Sequence, residues 1–250
     1  MIKVKAEEIK KEFPGKSGSV ALGGINLDIM EGEFFAIVGP SGCGKSTFLE
    51  IVAGLIKPTS GHIFIDGAPA EGTNHNSGIV FQGYALFPWR TVMGNVAYGL
   101  EEKGIKRSER EDVCKKYISL VGLSGFENHY PHELSGGMKQ RVAIARALAY
   151  DPDILLMDEP FAALDAQTRE ILQGEVLRIW NETRKTVLFV THNIEEAVFL
   201  ADRIAVMSGR PGVIKRIFEV SLPRPRQEEL RLSQAFIKLR HDVGMLVREG

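Results

Sequence analysis

The chain predicts an α/β fold: a core of buried strands, an antiparallel β-subdomain ahead of it and an α-helical insertion within it. Three patterns carry this expectation. Residues 1–34 alternate apolar and polar side chains, the period of half-buried strands. Ile154-Leu155-Leu156-Met157 and Thr186-Val187-Leu188-Phe189-Val190 are almost wholly apolar, as central parallel strands covered on both faces are. Residues 83–150 instead carry turn formers and helical periodicity. A length of 250 residues with 44% hydrophobic content suffices for one domain over 1–250. Within it, about 83–150 forms the helical subdomain and about 223–250 a peripheral C-terminal tail.

Bulk composition narrows the function classes. The formal net charge of −1 gives no global field for nucleic acid or an acidic membrane. The two cysteines, Cys43 and Cys114, make no metal or redox spacing and suit a reducing compartment. Met1-Ile2-Lys3-Val4-Lys5 runs straight into charge, so no secretory leader is expected. No apolar run approaches the length that crosses a bilayer. Work at a membrane therefore requires other chains to do the crossing.

The first element expected is a hairpin. Ile2, Val4 and Ala6 alternate with lysines, Ile25, Leu27 and Ile29 alternate with Asn26 and Asp28, and Phe13-Pro14-Gly15-Lys16-Ser17-Gly18 reads as a turn. Phe13 fits two roles, a half-buried strand residue or a ring for a nucleotide base to stack on.

Next comes Phe35-Ala36-Ile37-Val38, a buried-type strand, followed by Gly39-Pro40-Ser41-Gly42-Cys43-Gly44-Lys45-Ser46-Thr47. This is G-x-x-x-x-G-K-[ST] between a strand and an apolar helical stretch, Phe48 to Ile56. The glycines free the backbone so that successive N–H groups form a concave anion site. The helix starting near Lys45 adds open donors and the positive end of its dipole. Lys45 can neutralise β- and γ-phosphates, and the Ser46 hydroxyl can ligate Mg²⁺. Cys43 reads either as an exposed, alkylatable thiol or as a small tolerated side chain.

Lys57-Pro58-Thr59-Ser60-Gly61 is expected to stop that helix. Strands follow at His62 to Gly67 and Ile79 to Phe81, with Gln82 directly after. His62 and His75 read as surface residues. In the insertion, Leu86-Phe87-Pro88-Trp89-Arg90-Thr91-Val92 sets bulky apolar groups among turn formers. Helices are expected at Asn95 to Leu100 and Arg110 to Val121, the second burying Cys114, Tyr117, Ile118 and Val121. The charged run Glu101 to Lys116 reads as a solvated face.

Leu134-Ser135-Gly136-Gly137-Met138-Lys139-Gln140 precedes a helix from Gln140 to Tyr150. Ser135 is a natural N-cap, and two glycines again free backbone N–H groups, so the chain has a second potential phosphate cradle. Ile154 to Met157 ends in Asp158-Glu159. Adjacent carboxylates at the carboxyl end of such a strand lie on the ligand edge of the sheet and point to work on Mg²⁺ and water. A helix runs from Asp165 through Trp180, and the strand Thr186 to Val190 leads to Thr191-His192, placing His192 on the same type of edge. Asn193 with Glu196 resembles a capping box. Strands are expected at Arg203 to Met207 and Gly212 to Phe218, then a charged helix to Arg248 in which Met245 and Leu246 pack.

The order of these motifs resembles the nucleotide-binding subunit of an ATP-binding-cassette transporter over nearly the whole chain. Gly39 to Thr47 is similar to the Walker A motif, Gln82 to the Q-loop glutamine and Leu134 to Gln140 to the signature sequence. Ile154 to Glu159 is similar to Walker B with its catalytic glutamate, Ala162-Ala163-Leu164-Asp165 to the D-loop and His192 to the switch histidine. The resemblance implies a P-loop NTPase (RecA-like) core with ATP and Mg²⁺ as its ligands. It puts Phe13 at the adenine-stacking position and Glu159, His192, Lys45 and Gln82 in catalysis. It assigns Ser46, Gln82 and Asp158 to Mg²⁺, and Gly39 to Thr47 to the phosphates. It further implies a head-to-tail homodimer or paired cassette, with Ser135, Gly136, Gly137, Gln140 and Asp165 reaching ATP in trans.

Leu86 to Val92 and Tyr130-Pro131-His132-Glu133-Leu134 look like the bacterial importers of nitrate, sulfonate, taurine or bicarbonate. That likeness implies transmembrane permease subunits docked through Gln82–Thr91. It also implies a periplasmic or lipid-anchored binding protein acting indirectly, and a peripheral location on the cytoplasmic face of the cell membrane. Trp89 fits either an apolar docking groove or the core of the helical subdomain. The rivals are a soluble cassette ATPase of DNA repair or translation, whose usual long coiled-coil insertion or second fused cassette does not appear in these residues, an exporter cassette, usually fused to a membrane domain, and an importer cassette for an unrelated substrate.

Overall fold

The computed structural model describes residues 1–14, 19–70, 72–73 and 77–248. Residues 15–18 of the expected turn, and His75, lie outside the described residues. The chain divides into two compact units, residues 1–75 with 184–250, and residues 76–183.

The first unit holds two sheets. β1 (Ile2–Phe13) pairs antiparallel with β2 (Ser19–Met30), as the alternation predicts, and on its other side with β4 (Ser60–Ile65), which pairs with the short β5 (Ala68–Pro69). Val4, Ala6, Ile25, Leu27 and Ile29 are buried while the intervening polar residues face out or lie half-buried. In the second sheet, β3 (Phe34–Val38) lies parallel to β8 (Thr186–Thr191) on one side and β9 (Arg203–Met207) on the other. β10 (Ile214–Glu219) closes the edge antiparallel to β9. Every residue of β3 and β8 is buried, which explains the apolar runs Phe34–Val38 and Val187–Val190. Phe34 and Phe189 pack ring to ring at 5.8 Å in this layer.

α1 (Lys45–Val52) follows β3. It ends well before Lys57-Pro58, because Gly54 takes a left-handed φ of 73° and terminates it first. α6 (Ile194–Leu200) follows β8. Asn193 caps it by accepting from the Glu195 and Glu196 N–H groups, but the return half of the expected capping box is absent: Thr191 Oγ1, not Glu196, accepts from the Asn193 N–H at 3.0 Å. α7 (Gln234–Arg248) closes the chain. It buries Phe236 and Val243, while Met245, expected to pack, is exposed. The preceding segment is anchored: Arg224 pairs with Asp202 at 2.7 Å, and buried Arg226 donates to the Phe199 and Ala201 carbonyls.

Among the described residues, the second unit is built on the parallel pair β6 (Ser77–Val80) and β7 (Ile154–Asp158) with the α-helices α2 (Val92–Glu102), α3 (Arg107–Leu120), α4 (Gly136–Ala149) and α5 (Ala166–Thr183). Cys114 and Ile118 are buried on one stripe of α3, as their spacing predicts, and Val121 is buried just past its end. α4 begins at Gly136, four residues earlier than its apolar periodicity suggests, because Ser135 supplies the cap.

Candidate functional site

In the first unit the parallel register places the phosphate loop. Val38 lies opposite Thr191 of β8 and Val206 of β9, so Gly39 and His192 are the next residues along adjacent strands at the same carboxyl edge. Gly42 and Gly44 then take φ of 76° and 106°, the left-handed region in which a Cβ is disfavoured. Gly39 has a different reason to be glycine: a Cβ there would sit 2.8 Å from the Met207 carbonyl oxygen. Gly44 is the N-cap of α1 and has no side chain to satisfy the first-turn N–H groups. Those donors and the helix dipole make an anion site.

Lys45 is buried, and its Nζ donates to the Gly39 and Pro40 carbonyls at 3.0 and 2.9 Å. Its charge is therefore fixed over the loop rather than swinging in solvent. Ser41 and Ser46 are exposed, Pro40 and Thr47 half-buried. Cys43 is 1% exposed with its Sγ 3.9 Å from Lys45 Nζ. Burial pushes its thiol up despite the nearby ammonium, so the alternative of an exposed, alkylatable thiol does not hold.

One residue beside this loop escaped the sequence reading. Arg210 donates to the Gly42 carbonyl at 2.7 Å and to Ser19 Oγ at 3.3 Å. Its only local signal is the Pro211-Gly212 that follows: a Cβ at Gly212 would meet the Cys43 carbonyl at 2.2 Å. Ser19 is in turn the register partner of Phe13. Phe13 stands at the end of β1, 42% exposed, with Lys11 Nζ 5.1 Å from its ring centroid. A chain of contacts thus runs from Phe13 through Ser19 and Arg210 to the phosphate loop.

In the second unit Val80 of β6 pairs with Met157 of β7. Gln82, two residues on, and Asp158 and Glu159 therefore come out at one strand edge. Glu159 has φ of 44°, a conformation that costs a non-glycine residue on the order of 1–3 kcal/mol and persists where the surroundings enforce it. Tyr84 and Ala85, just beyond exposed Gln82, repeat this with φ of 60° and 47°. The next loop is tied down by Asn95, which is fully buried. Its Oδ1 accepts from the Phe87 N–H at 2.8 Å, and its Nδ2 donates to the Phe87, Arg90 and Thr91 carbonyls. Arg90 adds an ion pair to Glu101 at 2.6 Å. Trp89, by contrast, is 72% exposed, so its alternative reading as core fails; its ring packs at 5.7 Å from Phe87.

Ser135 is exposed, and its Oγ accepts from the Met138 N–H at 3.3 Å. Gly136 and Gly137 are ordinary helical residues, so conformational freedom is not what they supply. A Cβ at Gly136 would meet the Tyr84 hydroxyl at 3.2 Å, and one at Gly137 the Thr168 methyl at 2.6 Å. Asp165 is exposed and accepts from the Thr168 N–H at 3.0 Å, a bond that holds its carboxyl below the usual range. Gln140 is the correction. Its side chain is fully buried, with neither amide atom hydrogen-bonded, so it cannot reach a ligand held by another copy. Helical spacing explains this: α4 starts at Gly136, which turns position 140 inward.

Among the described residues, no cluster of three or more His, Cys, Asp or Glu side chains is placed to hold a metal ion by itself.

Residues 22–162 match the family model for the ABC transporter. The chain is 53% identical over 249 residues to an uncharacterized ABC transporter ATP-binding protein of Methanocaldococcus jannaschii, covering 99% of this chain and 92% of that one. It is 47% identical to the nitrate import ATP-binding protein NrtD of Synechocystis, over 96% and 93% of the two chains. It is 46% identical to the aliphatic sulfonates import ATP-binding protein SsuB of Bacillus cereus, over 96% and 94%. Among solved structures, a dimeric ATP-binding cassette in a post-hydrolysis state with ADP and phosphate superposes with a TM-score of 0.78 at 37% identity, over 88% of this chain and all of that one. The chain belongs to the ABC transporter family, as one of its ATP-binding, ATP-hydrolysing cassettes.

Proposed function

We propose that this cassette energises import of a small anion of the nitrate or sulfonate type, by closing and opening against a second cassette. The observation that carries the catalytic part is the cradle at Gly39–Gly44, with the uncapped start of α1 behind it and Lys45 fastened across it. The loop N–H groups and Lys45 bind the β- and γ-phosphates, and Phe13 stacks on the base. Ser46, Asp158 and Gln82 would hold Mg²⁺, directly or through water, and the bound ion would supply charge neutralisation to the transferring group. Glu159 takes a proton from the attacking water as the γ-phosphoryl passes to it, yielding ADP and phosphate; such a base is worth about 10²–10⁴-fold. His192 steadies the γ-phosphate. Ser135, Gly136, Gly137 and Asp165 of a second copy complete each site.

The importer part rests on the nitrate and sulfonate relatives and on the loop that presents Trp89. No helix among the described residues is long and apolar enough to cross a membrane. In this reading permease subunits span the bilayer, and the cassette sits on its cytoplasmic face, gripping them through Gln82–Thr91. A binding protein acts on the far side.

Glu159→Gln tests the core of the proposal. It is expected to bind ATP, cut turnover about 10²-fold or more, and run as an ATP-dependent dimer on size exclusion. Fast hydrolysis by this variant, or a monomer at saturating ATP, refutes the base and the composite site respectively. Transport of nitrate against an alkanesulfonate, in vesicles carrying the cognate permease, decides the substrate.

A further inference from the structure

We propose that Arg146 is a positioning residue for ATP hydrolysis: its guanidinium fork holds the Gln82 loop in a left-handed conformation at Tyr84 and Ala85, and so ties that loop to the helix headed by Ser135. This rests on the reading that Gln82 serves the nucleotide. Two successive non-glycine residues in the left-handed region are sparsely populated, and they last only where something over-determines them. Here Arg146 Nη1 donates to the Ala85 carbonyl at 2.6 Å and Nη2 to the Tyr84 carbonyl at 3.0 Å. One planar fork thus takes both carbonyls that the left-handed turn brings side by side. The loop closes on itself through the Ala85 N–H, which donates to the Gly83 carbonyl at 2.6 Å.

The guanidinium lies 5.9 Å from the Phe87 ring centroid, under the segment that presents Trp89. The side chain is half-buried, and the partial loss of water around it pushes its pKa down. The same helix meets the loop again at its other end, where the Tyr84 hydroxyl stands against Gly136. Gly136 and Arg146 are ten residues apart on α4, about 15 Å along a rigid rod. A shift of the Ser135–Gly137 turn on meeting a second copy is therefore transmitted to the Gln82 loop at two points. A lysine, with a point charge and no rigid planar fork, does not hold the two carbonyls in that fixed geometry.

The experiment uses the full-length chain and reads hydrogen exchange over residues 82–87 by mass spectrometry, together with steady-state ATP hydrolysis. Arg146→Lys is expected to speed exchange in this segment about tenfold and to lower kcat about fivefold with KM for ATP within about twofold. Ala85→Gly added to it should restore kcat to within about twofold of the parent, because glycine enters the left-handed region without a Cβ penalty. Ala85→Val, which resists that region, should reproduce the Arg146→Lys effects with Arg146 intact, and it decides the matter if Arg146→Lys does not fold. If Arg146→Lys lowers only Tm, with exchange and kcat unchanged, or if Ala85→Val leaves both unchanged, the proposal is overturned. Gln82→Ala separates the two readings: parental hydrolysis there removes the role of Gln82, while the exchange data still decide whether Arg146 holds the loop.

Discussion

The phosphate loop and the Ser135 loop look alike on paper, each a glycine-rich turn opening a helix, but the structure gives their glycines different tasks. In Gly39–Thr47, Gly42 and Gly44 are bent into the left-handed region, so the backbone itself forms the cradle. At Gly136 and Gly137 the backbone is already helical, and the missing Cβ atoms make room for Tyr84 and Thr168. Glycine serves backbone shape in the first and close approach in the second. The two should fail differently when filled.

The largest effect is expected at Gly44→Ala. A Cβ there combines a left-handed φ with contacts of 2.7 Å to Leu22 Cδ2 and 2.9 Å to the Ala21 carbonyl. Strain and overpacking together should cost about 3 kcal/mol or more and abolish nucleotide binding, measured by denaturant unfolding and by titration with a fluorescent ATP analogue. Gly42→Ala shares the backbone strain but meets open space among the described residues. If the two variants are equally damaged, conformation alone governs the loop and crowding does not.

Gly137→Ala should cost about 1–3 kcal/mol through its clash with the Thr168 methyl. Thr168→Ser deletes that methyl and leaves the backbone N–H that Asp165 accepts from, so the double variant should recover most of the loss in thermal unfolding. No recovery would show that Gly137 is needed for its backbone after all, and would erase the contrast. The smallest effect belongs to Ser135→Ala, which removes the bond from the Met138 N–H and should destabilise by about 1 kcal/mol. A monomer nucleotide-binding assay should not register it, whereas Gly44→Ala should be evident there at once.

Much of this was readable in residue order because the physics is local. Strands β3, β8 and β9 are apolar where they are covered on both faces, and Ser135 and Asn193 cap because a short oxygen-bearing side chain before a helix does so in any fold. Other features depend on neighbours far along the chain. Trp89 has the composition of a core residue, yet it is presented to solvent by the four hydrogen bonds of buried Asn95. Gln140 looks polar and available, but its position on α4 turns it inward. Met245 lies on an amphipathic helix whose buried face turned out to be that of Phe236 and Val243.

Residue order alone dictates the phosphate-binding chemistry, since G-x-x-x-x-G-K-[ST] after a buried strand leaves the backbone few alternatives to a cradle. It also determined the α/β class, and the ends of the buried strands at which His192, Asp158 and Glu159 stand. Tertiary structure alone decided which glycines bend and which merely make room. It alone placed Arg210 against Gly42 and Arg146 against Tyr84 and Ala85. Residues 62 and 168 positions apart in the chain meet only because parallel strands and packed helices bring them together.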